Sequence, residues 1–509
     1  MTKTIAASVV LLGALFSSLT YALNPITIKG TKFFDSVTKD QFFIKGVAYQ
    51  PRTLHSEVID PLAKPADCKR DFELMKALGL NTIRVYQVDN RQNHDECMKL
   101  MEAAGIYLLL DVVAPKYSIV RTNPEYDLNT WSNVKGTLDA FKGYSNVLGF
   151  FVGNEVTNDN KTTVASAYVK ALLRDTKNYL ASASSRKIPV GYANNDDPDI
   201  RLQIQAYFNC GPDNERIDFF GINLYEWCGT SVTYQTSGYA DRSKEIEGYS
   251  IPVFLSEFGC NAIMPRTFPE VKSILGPDMT DLWSGGIVYE WSQEDNNYGL
   301  VKINPDNSVS TLPDYANLKS VLAPLKPVGV KMDAYSATNK ASTCPALTPM
   351  WEPNAKLPPM PSAGACDCMM SSLSCVASDQ AVVTTESLGT LLNTICGMTS
   401  CDDISSNGKA GVYGRYSSCL PSQKLSYMYN KYYAIAGKKE PTFCSFNGMA
   451  KLSTASKPTD EGCSDVKDAI MVAPAETYKS SQAPYSFSPF LVSSTSSTAL
   501  AMVMGGLLI

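Results

Sequence analysis

From Phe42 to about Val301 the chain alternates between short apolar runs and longer polar stretches with helical spacing. Eight apolar runs read as strands: 42–49, 82–88, 107–113, 147–153, 188–193, 219–224, 253–256 and 286–290. Between them, the stretch from Cys68 to Leu80 turns Phe72, Met75, Leu78 and Leu80 inward and stops at Gly79, as an amphipathic helix would. Eight strand-and-helix units in succession predict an α/β fold, a (β/α)8 barrel, whose parallel strands are apolar throughout because both faces are covered. An open doubly wound sheet would place a glycine-rich phosphate turn after its first strand. The first run leads instead into Gln50-Pro51-Arg52, and the chain has no GxGxxG, GxxxxGK or GxSxG.

The strand C-terminal ends form the active face of such a barrel. Residues just past the runs are Gln50, Tyr86, Asp111, Asn154 with Glu155, Asn194, Tyr225, Glu257 and the segment Tyr289 to Trp291. Carboxylates, amides and tyrosines dominate that set. In VLGFFVGNEVT, at 147–157, Gly153 is expected to end the strand and leave Asn154 and Glu155 where it exits the core; a structural Glu capping the next helix is the alternative. A second glutamate in a matching frame, Glu257 in VFLSEFG, favours a working pair.

Beyond the barrel the pattern changes. Residues 345–365 are proline-rich, opening with PALTPMWEPNAKLPPMPSA, and read as a semi-rigid linker after a barrel domain at 23–344. The segment 366–463 holds eight of the fourteen cysteines and two amphipathic stretches, 387–396 and 423–433, and reads as a small cross-linked helical module. A polar stalk follows at 464–498.

Both ends carry targeting patterns. Lys3, the apolar run Ile5 to Phe16 and the ending Ser-Ser-Leu-Thr-Tyr-Ala make residues 1–22 a secretory signal cut near Ala22. Residues 499–509 form an uncharged apolar tail behind a polar spacer, the pattern of a glycosylphosphatidylinositol attachment signal. Export to an oxidising compartment turns the fourteen cysteines into disulfides in preference to a zinc site. It also makes Asn160 of Asn160-Lys161-Thr162 a glycosylation acceptor.

Composition narrows the chemistry. A formal charge of −5 and 19% charged residues leave no basic excess for nucleic acid. Only two histidines, His55 and His94, are present, which argues against a Ser/His/Asp triad or a histidine zinc centre, and His94 reads as a helix start. The acidic loop Asn194 to Asp199 lacks EF-hand spacing and reads as a capping turn. No metal or other cofactor is expected. Two glutamates and a set of tyrosines suit glycosidic-bond cleavage, where one carboxylic acid protonates the leaving oxygen and a second carboxylate acts from the other face of the sugar.

Several motifs then point to a family. Gly153-Asn154-Glu155, FLSEFGC at 254–260, FFGINLYEWCG at 219–229, GVAYQP at 46–51 and VYEWSQEDNNYGLV at 288–301 resemble the fungal β-1,3-glucanosyltransferases of glycoside hydrolase family 72, the glucan elongases. The resemblance implies that Glu155 is the acid/base and Glu257 the nucleophile of a retaining reaction. It further implies that Asn154 faces the sugar 2-hydroxyl, that Tyr225 binds the nucleophile, and that Gln50, Tyr86, Asp111 and Tyr289 line subsites, with Asn194 as a further substrate contact. It implies bridges Cys68 to Cys97, Cys210 to Cys344 and Cys228 to Cys260. It also implies a module similar to carbohydrate-binding module family 43 with four internal bridges among Cys366, Cys419, Cys368, Cys463, Cys375, Cys444, Cys396 and Cys401. The expected protein is a monomeric, lipid-anchored enzyme at the cell surface or wall that cuts β-1,3-glucan and passes the new reducing end to another chain. A secreted β-1,3-endoglucanase and a non-catalytic glucan-binding protein are the alternatives.

Overall fold

A computed structural model of the 509-residue chain describes residues 23–51, 60–382, 385–436 and 441–453. The expected leader, His55, Cys463, the stalk and the apolar tail lie outside those residues.

Eight parallel strands close into a barrel: β1 (Ile44–Ala48), β2 (Thr82–Val85), β3 (Tyr107–Asp111), β4 (Val147–Asn154), β5 (Val190–Asn194), β6 (Phe219–Asn223), β7 (Val253–Phe258) and β8 (Trp283–Val288). They pair in chain order, and β8 returns to β1 through a register that sets Gly285 against Ile44 and Val288 against Val47. All eight predicted runs are the barrel strands. Two ends differ in a way that matters for the site. Gly153 does not end β4, which continues through Asn154; a Cβ at that glycine would meet the Tyr192 ring at 3.1 Å, so close packing accounts for it. Likewise β7 extends to Phe258, so Glu257 lies within the strand and not after it.

Aromatic side chains fill the interior. The N-terminal ribbon (Ile26–Lys29, Lys32–Asp35, Gln41–Phe42) brings in Phe33, which is fully buried with its ring centroid 6.1 Å from those of both Phe219 and Phe254. Phe151 packs edge-on to Phe219 at 5.1 Å. Each such ring removed from water contributes on the order of 2–3 kcal/mol, so the barrel is a solid support below its mouth. Outside the strands, the helix Pro65–Leu78 buries Phe72, Met75 and Leu78 and ends where Gly79 adopts φ 84°. Disulfides join Cys68 to Cys97, Cys210 to Cys344 and Cys228 to Cys260.

The proline-rich stretch after Cys344 is bound to the barrel. Trp351 is completely buried, with its ring 5.4 Å from Tyr207. The backbone N–H of Glu352 donates to Thr163, and Arg174 donates to the carbonyl of Pro358. Beyond it, helices Thr385–Cys396 and Pro421–Ile435 pack around Leu392, Ile395, Leu425 and Met428, and helix Ala363–Ser371 packs through Met369 beside Leu373 and Cys419. Bridges Cys366–Cys419, Cys375–Cys444 and Cys396–Cys401 lace this module, and Cys368 is also disulfide-bonded. The module rests on the barrel helices Leu128–Phe141 and Ala165–Ala183. Leu128 N–H donates to the Ser418 carbonyl, Tyr168 pairs with Ser406, and Lys424 meets Glu125 at 3.2 Å. Among the described residues no helix is long and apolar enough to cross a membrane.

Trp351→Ala empties a buried site between strap and barrel and is expected to destabilise the protein by about 3–5 kcal/mol. Chemical denaturation measures this, and a midpoint equal to the parent's would show that the strap does not brace the barrel.

Candidate active site

At the C-terminal mouth, β2 supplies Arg84 and, just past its end, Tyr86, two residues apart and so directed to one face. Arg84 is fully buried, with its guanidinium carbon 4.4 Å from the Phe151 ring centroid on one side and 4.5 Å from that of Tyr86 on the other. It donates to both oxygens of Asp111 at 3.1 and 3.0 Å and reaches Glu257 Oε1 at 3.4 Å. Burial opposes the charge on Arg84. Asp111, Tyr86 and Glu257 more than offset that and hold the guanidinium above its ordinary range.

Glu257 thus sits in a ring of donors. Tyr86 donates to its Oε1 and Tyr225 to its Oε2, each at 2.9 Å. Only 8% of the residue is exposed. Burial pushes its carboxyl up to about 7; Arg84 pulls it down, Glu155 pushes it further up, and the two tyrosine hydroxyls pull it down. Every polar neighbour but Glu155 favours the anion, the form in which a carboxylate attacks carbon.

Glu155 is built differently. It follows the last residue of β4 with φ 50°, a left-handed backbone that costs a non-glycine residue energy, and its N–H is held by the Ala193 carbonyl at 2.9 Å. Arg121 donates to the Glu155 carbonyl at 2.8 Å and so holds the residue from its C-terminal side. Asn223 of β6 donates to Glu155 Oε1 at 2.7 Å and to Asn154 Oδ1 at 3.1 Å, while its own Oδ1 accepts from Ser256. Asn223 is also the register partner of Glu257 across β6 and β7, so one amide links the seats of the two glutamates.

The remaining expected residues fall around this pair. Gln50 accepts from the N–H groups of Tyr86 and Gln87 at 3.0 and 2.9 Å. Tyr289 packs its ring 6.4 Å from Tyr225 and 5.3 Å from Tyr298. Asn194 donates to the Asn195 carbonyl at 2.7 Å, and its buried Oδ1 has no partner among the described residues. Asp111 lies beneath the mouth with both oxygens taken by Arg84, and is a support for the site more than a wall of it. Asn160 stands on the loop after Glu155 with its amide 3.3 Å from Asp199. His94 precedes the helix Asp95–Ala103 and meets Asp60 at 2.8 Å. Among the described residues no cluster of metal-ligating side chains occurs.

Arg84, Asn223, Ser256, Tyr298 and Arg121 were not among the expected residues. Arg84 and Asn223 each lie two positions before an expected tyrosine, Tyr86 and Tyr225, so strand periodicity carries the signal for both.

A protein-family model described as Glucanosyltransferase matches residues 15–326, and a second, described as X8 domain, matches residues 373–451. The 1,3-beta-glucanosyltransferase GAS2 of Saccharomyces cerevisiae is 42% identical over 476 residues, 89% of this chain and 85% of that protein. Protein EPD1 of Candida maltosa is 46% identical over 437 residues, covering 85% and 79%. A solved structure of a Glu-to-Gln mutant of Saccharomyces cerevisiae Gas2p in complex with laminaritetraose and laminaripentaose superposes with a TM-score of 0.80 at 42% identity, over 88% of this chain and 99% of that one.

Because burial raises Glu257, its folded state favours the protonated form: that contribution to stability is full below the ordinary carboxylate range and is lost as pH rises through about 7. Catalysis by the anion runs the other way. Tyr225→Phe removes a donor that favours the anion and is expected to move the acid limb of kcat/KM to higher pH by about one unit. A limb that stays in place or moves lower in the pH profile would overturn the assigned role of Tyr225.

Proposed function

Because this chain belongs to the glucanosyltransferase family, we propose that it elongates β-1,3-glucan by a retaining transfer in which Glu257 is the nucleophile and Glu155 the acid/base. The observation that carries the role assignment is the unequal surroundings of the two glutamates. Glu257 accepts from Tyr86, Tyr225 and Arg84, all donors that serve an anion. Glu155 accepts from Asn223 on Oε1, leaving Oε2 to hold a proton.

In this reading a β-1,3-linked chain lies across the mouth. Glu257 attacks the anomeric carbon as Glu155 gives its proton to the departing oxygen, so one carbon–oxygen bond forms while another breaks. The chain segment that carried the leaving oxygen departs with a new non-reducing end. Glu155, now a carboxylate, takes the proton from the 3-hydroxyl of an acceptor chain, whose oxygen displaces Glu257. Two inversions at one carbon restore the β configuration. Asn154 is placed to meet the 2-hydroxyl, while Gln50, Tyr86, Asn194 and Tyr289 bound the cleft, the tyrosines offering both a stacking face and a hydroxyl. Asp111 acts through Arg84. Transfer exceeds hydrolysis where an acceptor sugar holds the place of the attacking water.

The same reading places the enzyme outside the cell. The signal-like pattern at 1–22, the apolar tail at 499–509 and the extensive disulfide lacing support export and a lipid anchor. The sequon at Asn160 is read as a glycan site, the protein as a monomer, and residues 366–463 as a cysteine-box module similar to a carbohydrate-binding module.

Reduced laminari-oligosaccharides incubated with the purified ectodomain are expected to yield products longer than the substrate. Glu155→Gln and Glu257→Gln are each expected to lower that yield by at least about a hundredfold. Only shorter products would identify a hydrolase, unchanged substrate a binding protein, and near-normal transfer in either mutant would refute the pair.

A further inference from the structure

Beside the catalytic mouth, the segments that follow β6 and β7 line a partly open pocket of about 130 Å³. It begins two residues beyond Tyr225, at Trp227, and is closed on the other side by residues from Cys260 to Glu270. A pocket of this order, open on one side, accommodates a six-membered ring. The walls are mixed. Trp227 and Phe268 supply aromatic surface, Thr230 and Thr267 hydroxyls, and Glu270 a carboxyl.

One of these groups is uncommitted in a way that buried polar groups rarely are. Trp227 is only 6% exposed, and its indole Nε1–H has no hydrogen-bond partner among the described residues. Glu270 is 3% exposed; burial pushes its carboxyl up to about 7, against the pull of its own backbone N–H and of Arg266. A carboxyl so raised can donate as well as accept. The guanidinium in the wall is not available to an anion: Arg266 gives Nε to Asp314 at 2.6 Å and Nη1 to the carbonyls of Tyr289 and Gly259 at 2.6 and 3.2 Å. An unsatisfied indole donor, an amphoteric carboxyl, hydroxyls and flat apolar faces together suit a neutral polyhydroxylated ring, whose C–H face stacks and whose hydroxyls both give and take hydrogen bonds.

We propose that this cavity is a second carbohydrate subsite, which takes one neutral hexopyranosyl unit from the end of a glucan chain. The identification of the sugar rests on the glucan reading given above. Its place explains how occupancy would be felt at the mouth. The Arg266–Phe268 wall carries the guanidinium that holds the Tyr289 carbonyl, and Trp227 shares a loop with Tyr225, the donor to Glu257.

Laminaribiose titrated calorimetrically into Glu257→Gln protein, in which turnover is blocked, is expected to report two sites per chain. Adding Trp227→Phe removes the free donor and is expected to weaken one of the two by about fivefold. Adding Glu270→Gln changes the same site, and adding Thr230→Trp at the exposed rim abolishes it. A single site per chain, or two sites of which neither responds to Trp227→Phe or Glu270→Gln, would overturn the proposal. Transfer by the protein with both glutamates intact is measured separately. Absence of transfer with the second site present counts against the catalytic reading and leaves this one supported.

Discussion

A guanidinium buried beneath the barrel mouth is the constraint on which the site depends. Arg84 has no solvent contact, so its charge is tolerable only while Asp111 takes two of its N–H groups and Glu257 lies within reach of a third. The arrangement binds three strands together, because Arg84 comes from β2, Asp111 from β3 and Glu257 from β7. The aromatic layer below is part of the same requirement. Phe151 offers its face to the guanidinium and stands on the Phe219 and Phe254 rings that the ribbon residue Phe33 seals from the other end. Filling the barrel and seating the carboxylate are one packing problem.

The strands were legible because a closed parallel barrel buries both faces of each, and the apolar runs follow directly from that burial. The ends were less so. A glycine near a strand terminus reads as a stop, yet at Gly153 the strand runs on, and the Tyr192 ring passes close enough that a Cβ would be tightly packed. The two glutamates stood out as carboxylates leaving apolar runs, whereas Arg84 and Asn223 were hidden inside theirs. Their importance depends on partners from strands far along the chain, and no local pattern states which strands will be neighbours. The proline-rich stretch illustrates the same limit: composition describes its stiffness, but only the fold brings Trp351 to Tyr207 and turns a spacer into a brace.

The small module has its own apolar centre and its own bridges, and it also shares hydrogen bonds with the helices on either side of β4. Those helices flank the strand that delivers Glu155. The chain therefore joins the module to the flank of the barrel that positions Glu155, through contacts that are individually modest and spread over a long strap. Such contacts favour a fixed relation between the two parts over a swinging one.

The bridge between Cys228 and Cys260 has a consequence for when the enzyme becomes competent. One cysteine lies three residues beyond Tyr225 and the other three beyond Glu257, so the bond ties together the two loops that bring donor and carboxylate to 2.9 Å. Before the thiols are oxidised, each loop leaves its strand as an independent tether. Afterwards they behave as a single covalent collar around Glu257. Formation of the bridge and assembly of the site are therefore coupled, because the cross-link holds together the chain just past Tyr225 and the chain just past Glu257.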